Sequence, residues 1–140
     1  MKIFDAKDLI IGRMATVVAK SALLGEEVIV LNCEKAVITG SKADVVAKFK
    51  RKRSMGTHAV GPFFPRSPDR MVKRIIRGML PYKQQKGDVA FKRVLCYNGV
   101  PEAFAGKETV TLAEANVSKM SNLRYMTIGE VSKILGNKEK

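Results

Sequence analysis

The residues of this chain best equipped for chemistry are cations, and their spacing sorts them into sets. Lys48, Lys50, Arg51, Lys52 and Arg53 form a nearly unbroken block, Arg66 stands in a proline-rich stretch, and Arg70, Lys73, Arg74 and Arg77 recur at i, i+3, i+4 and i+7. A guanidinium presents a planar fork that bridges two phosphate oxygens, and an ammonium acts on the same ligand as a point charge. Lys83, Lys86, Lys92 and Arg93 extend the series. Residues 42–93 hold fifteen Lys and Arg against Asp44, Asp69 and Asp88, a balance of +12, while the rest of the chain holds eleven bases and ten acids. Concentrated in this way, the net charge of +13 is a field that seeks a polyanion rather than an aid to solubility.

The residue types that would make a catalyst are scarce. His58 is the one imidazole, and general-base work would require a nucleophile or an orienting partner that the sequence does not offer. Its place between the basic block and the proline stretch leaves two readings open, a phosphate or base contact and a structural hydrogen bond. No GxGxxG follows the first apolar run, where the chain reads DAKDLIIGRMAT, and there is no GxxxxGK[ST] loop and no GxSxG elbow. The carboxylates are scattered singly through basic surroundings. Cys33 and Cys96 sit far apart in apolar runs, as buried free thiols do, and one histidine cannot complete a zinc set. No metal, cofactor or small-molecule substrate is expected. The absence of a disulfide framework fits a reducing, cytoplasmic compartment. The apolar residues, 46% of the chain, fall into short periodic runs with neither a membrane span nor a leader pattern at the N-terminus.

The elements that must hold these cations follow from periodicity. KIFDA at 2–6 predicts a strand. A helix should run from Leu9 or Ile10 to Leu24 and stop at Gly25, with Arg13, Thr16 and Lys20 on a narrow polar stripe and Met14, Val17, Val18, Ala22 and Leu24 covering most of the rest. VIVLNC at 28–33 is a β-branched run suited to a strand buried on both faces. After AVITG, Ser41 can cap a helix KADVVAKFKRKR whose apolar face is Val45, Val46 and Phe49. This alternation is the rhythm of a layered α/β domain, expected to span residues 1–140 as one unit.

Periodicity then stops. SMGTHAVGPFFPRSP, 54–68, predicts a long extended loop. Phe63 and Phe64 should pin it to the domain, with stacking on RNA bases as the other reading. PDRMVKRIIRGML predicts an amphipathic helix, with Met71, Val72, Ile75, Ile76 and Met79 on one side and its four cations within about 100° on the other. Pro81 should end it, YKQQKGD should continue as a basic connection, and RVLCYN at 93–98 should return as a strand. ETVTL at 108–112 is β-prone, and Thr127 and Glu130 have capping-box spacing ahead of a closing helix.

A charge run by itself is ordinarily a solvated face. Three adjoining elements almost free of acids carry the reading further, to a surface at about 42–93 that neutralises the phosphates of structured RNA. Shape and backbone recognition are expected there, because the deep, narrow groove of A-form RNA resists reading by side chains. An RNA-modifying enzyme or its accessory subunit is the alternative, and a DNA-compacting protein the third reading.

With those elements in place, the chain resembles the universal large-subunit ribosomal protein thirteen family in its archaeal form. The resemblance is carried by Asp5-Ala6, Gly12-Arg13-Met14-Ala15, Arg77-Gly78-Met79-Leu80-Pro81 and Val94-Leu95-Cys96-Tyr97-Asn98-Gly99-Val100-Pro101, with GPFFPRSP and TIGEV adding to it. It implies a three-layer α/β/α domain with a mainly parallel four-stranded sheet and a basic extended loop. It also implies a non-catalytic place in the large subunit of the cytoplasmic ribosome, bound to large-subunit rRNA and neighbouring ribosomal proteins. The longer C-terminal extension of the eukaryotic members does not follow here, which favours the archaeal form.

Overall fold

Two short parallel pairings organise the chain, and the helices pack against one face of the sheet they make. The computed structural model describes residues 1–138. In chain order the elements are β1 (Lys2–Asp5), α1 (Ile11–Leu23), β2 (Val28–Leu31), β3 (Val37–Thr39), α2 (Lys42–Ser54), α3 (Pro68–Gly78), α4 (Gln85–Lys92), β4 (Val94–Cys96), β5 (Tyr125–Thr127) and α5 (Ile128–Ile134). The parallel sheet has the order β1-β2-β4, with Phe4 opposite Val30 and Val30 opposite Cys96. β3 and β5 pair antiparallel in a separate small sheet.

The fold is α/β with a mainly parallel sheet, as the βαβ rhythm predicts, but that sheet has three strands rather than four. The β-prone run at 108–112 forms no strand of its own. Only Val110 joins β1, by one parallel bridge to Phe4 and a hydrogen bond from its N–H to the Ile3 carbonyl at 2.7 Å.

The alternation of strand side chains sets the layers. Phe4, Val28, Val30 and Val94 face the main core with the helices, where Met14, Val18, Met71, Val72, Ile76, Ile128 and Leu135 are all buried. Ile3, Ile29 and Leu31 face the other way, against Tyr97 and Phe104. That outer layer is a loop and a 3-10 turn, Glu102–Phe104, with Leu95 left 42% exposed.

Local sequence explains most element ends. Ser41 Oγ accepts from the Asp44 N–H at 3.2 Å and starts α2. Thr127 and Glu130 form the reciprocal capping box of α5. Gly25, at φ +98°, supplies the left-handed turn after α1. Within α1, Val17 is exposed instead of buried, and Leu24, just beyond its end, is 74% exposed.

The main departure lies after Pro81. Instead of a polar connection, residues 85–92 form α4, with Gly87 and Ala90 buried. Gly87 is essential to that packing: a Cβ there would lie 2.1 Å from the Pro81 carbonyl oxygen. No helix among the described residues is long and apolar enough to cross a membrane.

Candidate nucleic-acid interface

α3 anchors the candidate surface because its two faces are chemically opposite. Met71, Val72 and Ile76 are fully buried, each contributing about 1.5–3 kcal/mol by burial. Pro68 sits in its first turn, where no amide partner is lost. With that face committed, Arg70, Lys73, Arg74 and Arg77 are displayed on the outer side. They border an open cleft of about 380 Å³ whose other walls are Phe63, Phe64, Pro65 and Phe91. Met79, predicted for the apolar face, is 41% exposed, and Leu80 is buried in its place.

The loop is joined to both flanking helices. Phe64 packs on Phe49 of α2, ring centroids 5.7 Å apart, while Phe63 turns outward and is 65% exposed. The two phenylalanines thus divide the roles weighed for them: Phe64 pins the loop and Phe63 does not. Arg74 closes the other side, donating from Nη1 to the Phe63 carbonyl at 2.8 Å, with its guanidinium carbon 5.4 Å from the Phe64 ring centre. Lys52 reaches the same ring from α2, with Nζ 5.8 Å from its centre and 5.5 Å from that of Phe49. Beyond them, Lys73 lies over Phe91 at 5.0 Å and Arg77 over Tyr82 at 4.9 Å. Aromatic faces hold these cations in place by quadrupole attraction without neutralising them.

Charge balance in this region is one-sided. Of the fifteen cations in 42–93, only Lys92 forms an ion pair with a carboxylate of the described residues, that of Asp88 at 2.8 Å. Lys52 has its pKa lowered by partial burial and then by Lys48 and Arg74; Arg74 is lowered by partial burial and then by Arg77. Each cation is pressed by its neighbours, and a bound anion would relieve both.

The predicted residues fall into distinct places. Lys48, Arg51 and Lys52 line a shallow groove on α2 beside Ala47 and Met55, and Lys50 is exposed on the same helix. Arg53 turns away and donates to the Leu135 carbonyl at the end of α5. Arg66 is exposed on the loop, whose backbone is held there by Ser132 Oγ donating to the Arg66 carbonyl at 2.5 Å. His58 is exposed, and no hydrogen bond within the described residues engages its side chain, so the structural reading of that imidazole gains no support.

The later cations stand apart from the cleft. Lys83 is exposed in the turn before α4. Lys86 and Arg93 line a second depression with Leu23, Gln85 and Val89, and Arg93 donates to the Ala22 carbonyl at 3.3 Å, at the end of α1. Lys92 pairs with Asp88 in the adjacent turn of α4, and both side chains remain exposed. Sequence reasoning missed Phe91 and Tyr82, the aromatic partners of Lys73 and Arg77. Phe91 was legible only once α4 was known to be a helix.

Sequence similarity to known proteins runs over nearly the whole chain. The family model for ribosomal protein L13 matches residues 1–103. The large ribosomal subunit protein uL13 of Methanococcoides burtonii is 46% identical over 138 residues, covering 99% of each chain. That of Methanosarcina barkeri is 45% identical over 139 residues, again 99% of each. The Archaeoglobus fulgidus protein is 43% identical over 135 residues, 96% of this chain and 86% of its own. Each of these relatives is a protein of the large ribosomal subunit. A parallel β1-β2-β4 sheet, an acid-poor helix-loop-helix face and this run of similarity lead to one conclusion: the chain belongs to the ribosomal protein L13 family, in the form found in archaea.

Proposed function

We propose that this chain is a structural constituent of the large ribosomal subunit that binds and stabilises folded large-subunit rRNA through α2, the 54–68 loop and α3. The whole chain acts as one domain, with its RNA-facing region at about 42–93. By clamping rRNA segments that have already folded, it aids assembly of the subunit on the cytoplasmic ribosome, beside neighbouring large-subunit proteins. The observation that carries this reading is the set of cations on α2 and α3 left without carboxylate partners among the described residues. A surface so arranged repels itself when alone and gains most from a ligand with closely spaced phosphates.

Lys48, Lys50, Arg51, Lys52, Arg70, Lys73, Arg74 and Arg77 form the centre of this surface, with His58 and Arg66 reaching from the loop. Lys83, Lys86, Lys92 and Arg93 contact RNA at its margin, and Arg53 serves chiefly to fix the end of α2 to α5. The test is a salt titration with a large-subunit rRNA fragment. Replacing Arg70, Lys73, Arg74 and Arg77 with Gln should weaken binding and flatten the log–log salt slope by about 3 units. An unchanged slope would remove α3 from the interface.

A further inference from the structure

Phosphate neutralisation does not explain Phe63. Its ring is 65% exposed, although an exposed phenylalanine forgoes the burial that makes the residue useful in a fold. The ring is nonetheless held. Arg74 fixes its carbonyl at 2.8 Å. Gly61, at φ +68°, comes so close that an added Cβ would lie 2.9 Å from Cδ2 and Cε2 of the ring. An exposed apolar ring that packs against Gly61, on a backbone anchored by Arg74, and that lines a cleft with four cations, is arranged for a ligand that is flat and anionic together.

We propose that this cleft takes a single unpaired ribonucleotide, its base stacked on Phe63 and its phosphates held by Arg70 and Arg77. Among the aromatic rings here, Phe63 is the one left for stacking. Phe64 is covered by Phe49, Lys52 and Arg74, and Phe91 carries Lys73. The volume, about 380 Å³, lies within the range of about 300–1,000 Å³ typical of small-ligand sites and admits one nucleotide, not a helix. A base in a duplex keeps its faces stacked on its neighbours, so only a splayed-out nucleotide could reach the ring. This inference rests on the rRNA-binding reading and adds to it a place where the RNA must be single-stranded.

The experiment uses the full chain with two probes: a ten-residue oligouridylate, whose bases stack little on one another, carrying one 2-aminopurine, and an RNA duplex of equal length. Stacking should quench the 2-aminopurine when wild-type protein binds. Phe63→Leu should abolish that quenching and weaken the single-stranded complex on the order of tenfold, leaving the duplex affinity unchanged, and Phe63→Trp should restore both signals. Circular dichroism of the variants controls for folding, which an exposed position should not disturb. Equal losses on both probes would make the ring part of a general RNA surface and overturn the proposal. Wild-type behaviour of Phe63→Leu on both would assign the ring to a protein contact and overturn it equally. Either result leaves the rRNA reading standing, because that rests on the salt slope of the α3 cations.

Discussion

Arg74 is bound to the loop it faces: its guanidinium donates to the Phe63 carbonyl at 2.8 Å and lies over the ring of Phe64. One side chain therefore both carries charge on the candidate surface and holds the segment that shapes it. Arg74→Lys preserves the charge but loses the planar group that stacks and donates at once. The expected outcome is loss of about 1 kcal/mol of local protection at Gly61, Phe63 and Phe64, the residues of this stretch that carry an amide hydrogen, read by amide hydrogen exchange. Global stability should hardly change.

Phe49 and Phe64 form the second tie between loop and helix. Phe49 is 5% exposed, so Phe49→Ala should cost about 3–5 kcal/mol in urea denaturation. Phe64→Ala, at a half-buried position, should cost less. A double-mutant cycle should return a coupling of about 0.5–1.5 kcal/mol for the tilted ring pair, and no coupling would mean that the loop docks independently of α2.

Two helical glycines should respond with opposite signs. Gly87→Ala places a methyl group 2.1 Å from the Pro81 carbonyl oxygen, an overpacking expected to cost about 1–3 kcal/mol. Gly12→Ala in α1 meets nothing within 4 Å and should stabilise by about 0.5–1 kcal/mol through helix propensity. Thermal melts of the two variants check both directions.

The Cys33 thiol is buried and donates to the Val30 carbonyl at 3.7 Å, and its pKa is raised first by the neighbouring Cys96 thiol and then by burial. The folded chain consequently holds that proton where the unfolded chain releases it. Stability from this group is complete below the unfolded thiol pKa of about 8.5 and declines above it, at up to about 1.4 kcal/mol per pH unit. Chemical denaturation between pH 7 and 10 should show the decline, and Cys33→Ala should flatten it. Alkylation of Cys33 should follow unfolding rather than precede it.

How much of this was legible from residues alone depended on whether the cause was local. Ser41 ahead of KADVV, and Thr127 with Glu130, announce their helices because a cap involves neighbours within three positions. α4 was hidden because Gly87 and Asp88 read as a turn, and only the approach of Pro81 explains why glycine sits inside a helix. The run at 108–112 has strand composition, but pairing needs a partner edge, and β1 offers it one residue. Phe63 and Phe64 carried a usable signal: adjacent residues in extended chain face opposite ways, so only one could pack on the domain. The cationic set was visible as a set. Its division into a central cleft, a margin and the Arg53 tether to α5 was not, because that depends on contacts across distant segments, such as Arg53 with Leu135.

With rRNA bound as proposed, the near absence of acids beside α2 and α3 would give the free protein and its complex opposite responses to ionic strength. Salt weakens attachment to RNA by competing for phosphates, yet the same ions shield the crowded cations from each other and so tighten the unbound fold. In the rRNA complex proposed above, phosphates between Lys48 and Arg77 would take the place of counter-charges that the polypeptide itself supplies only sparsely.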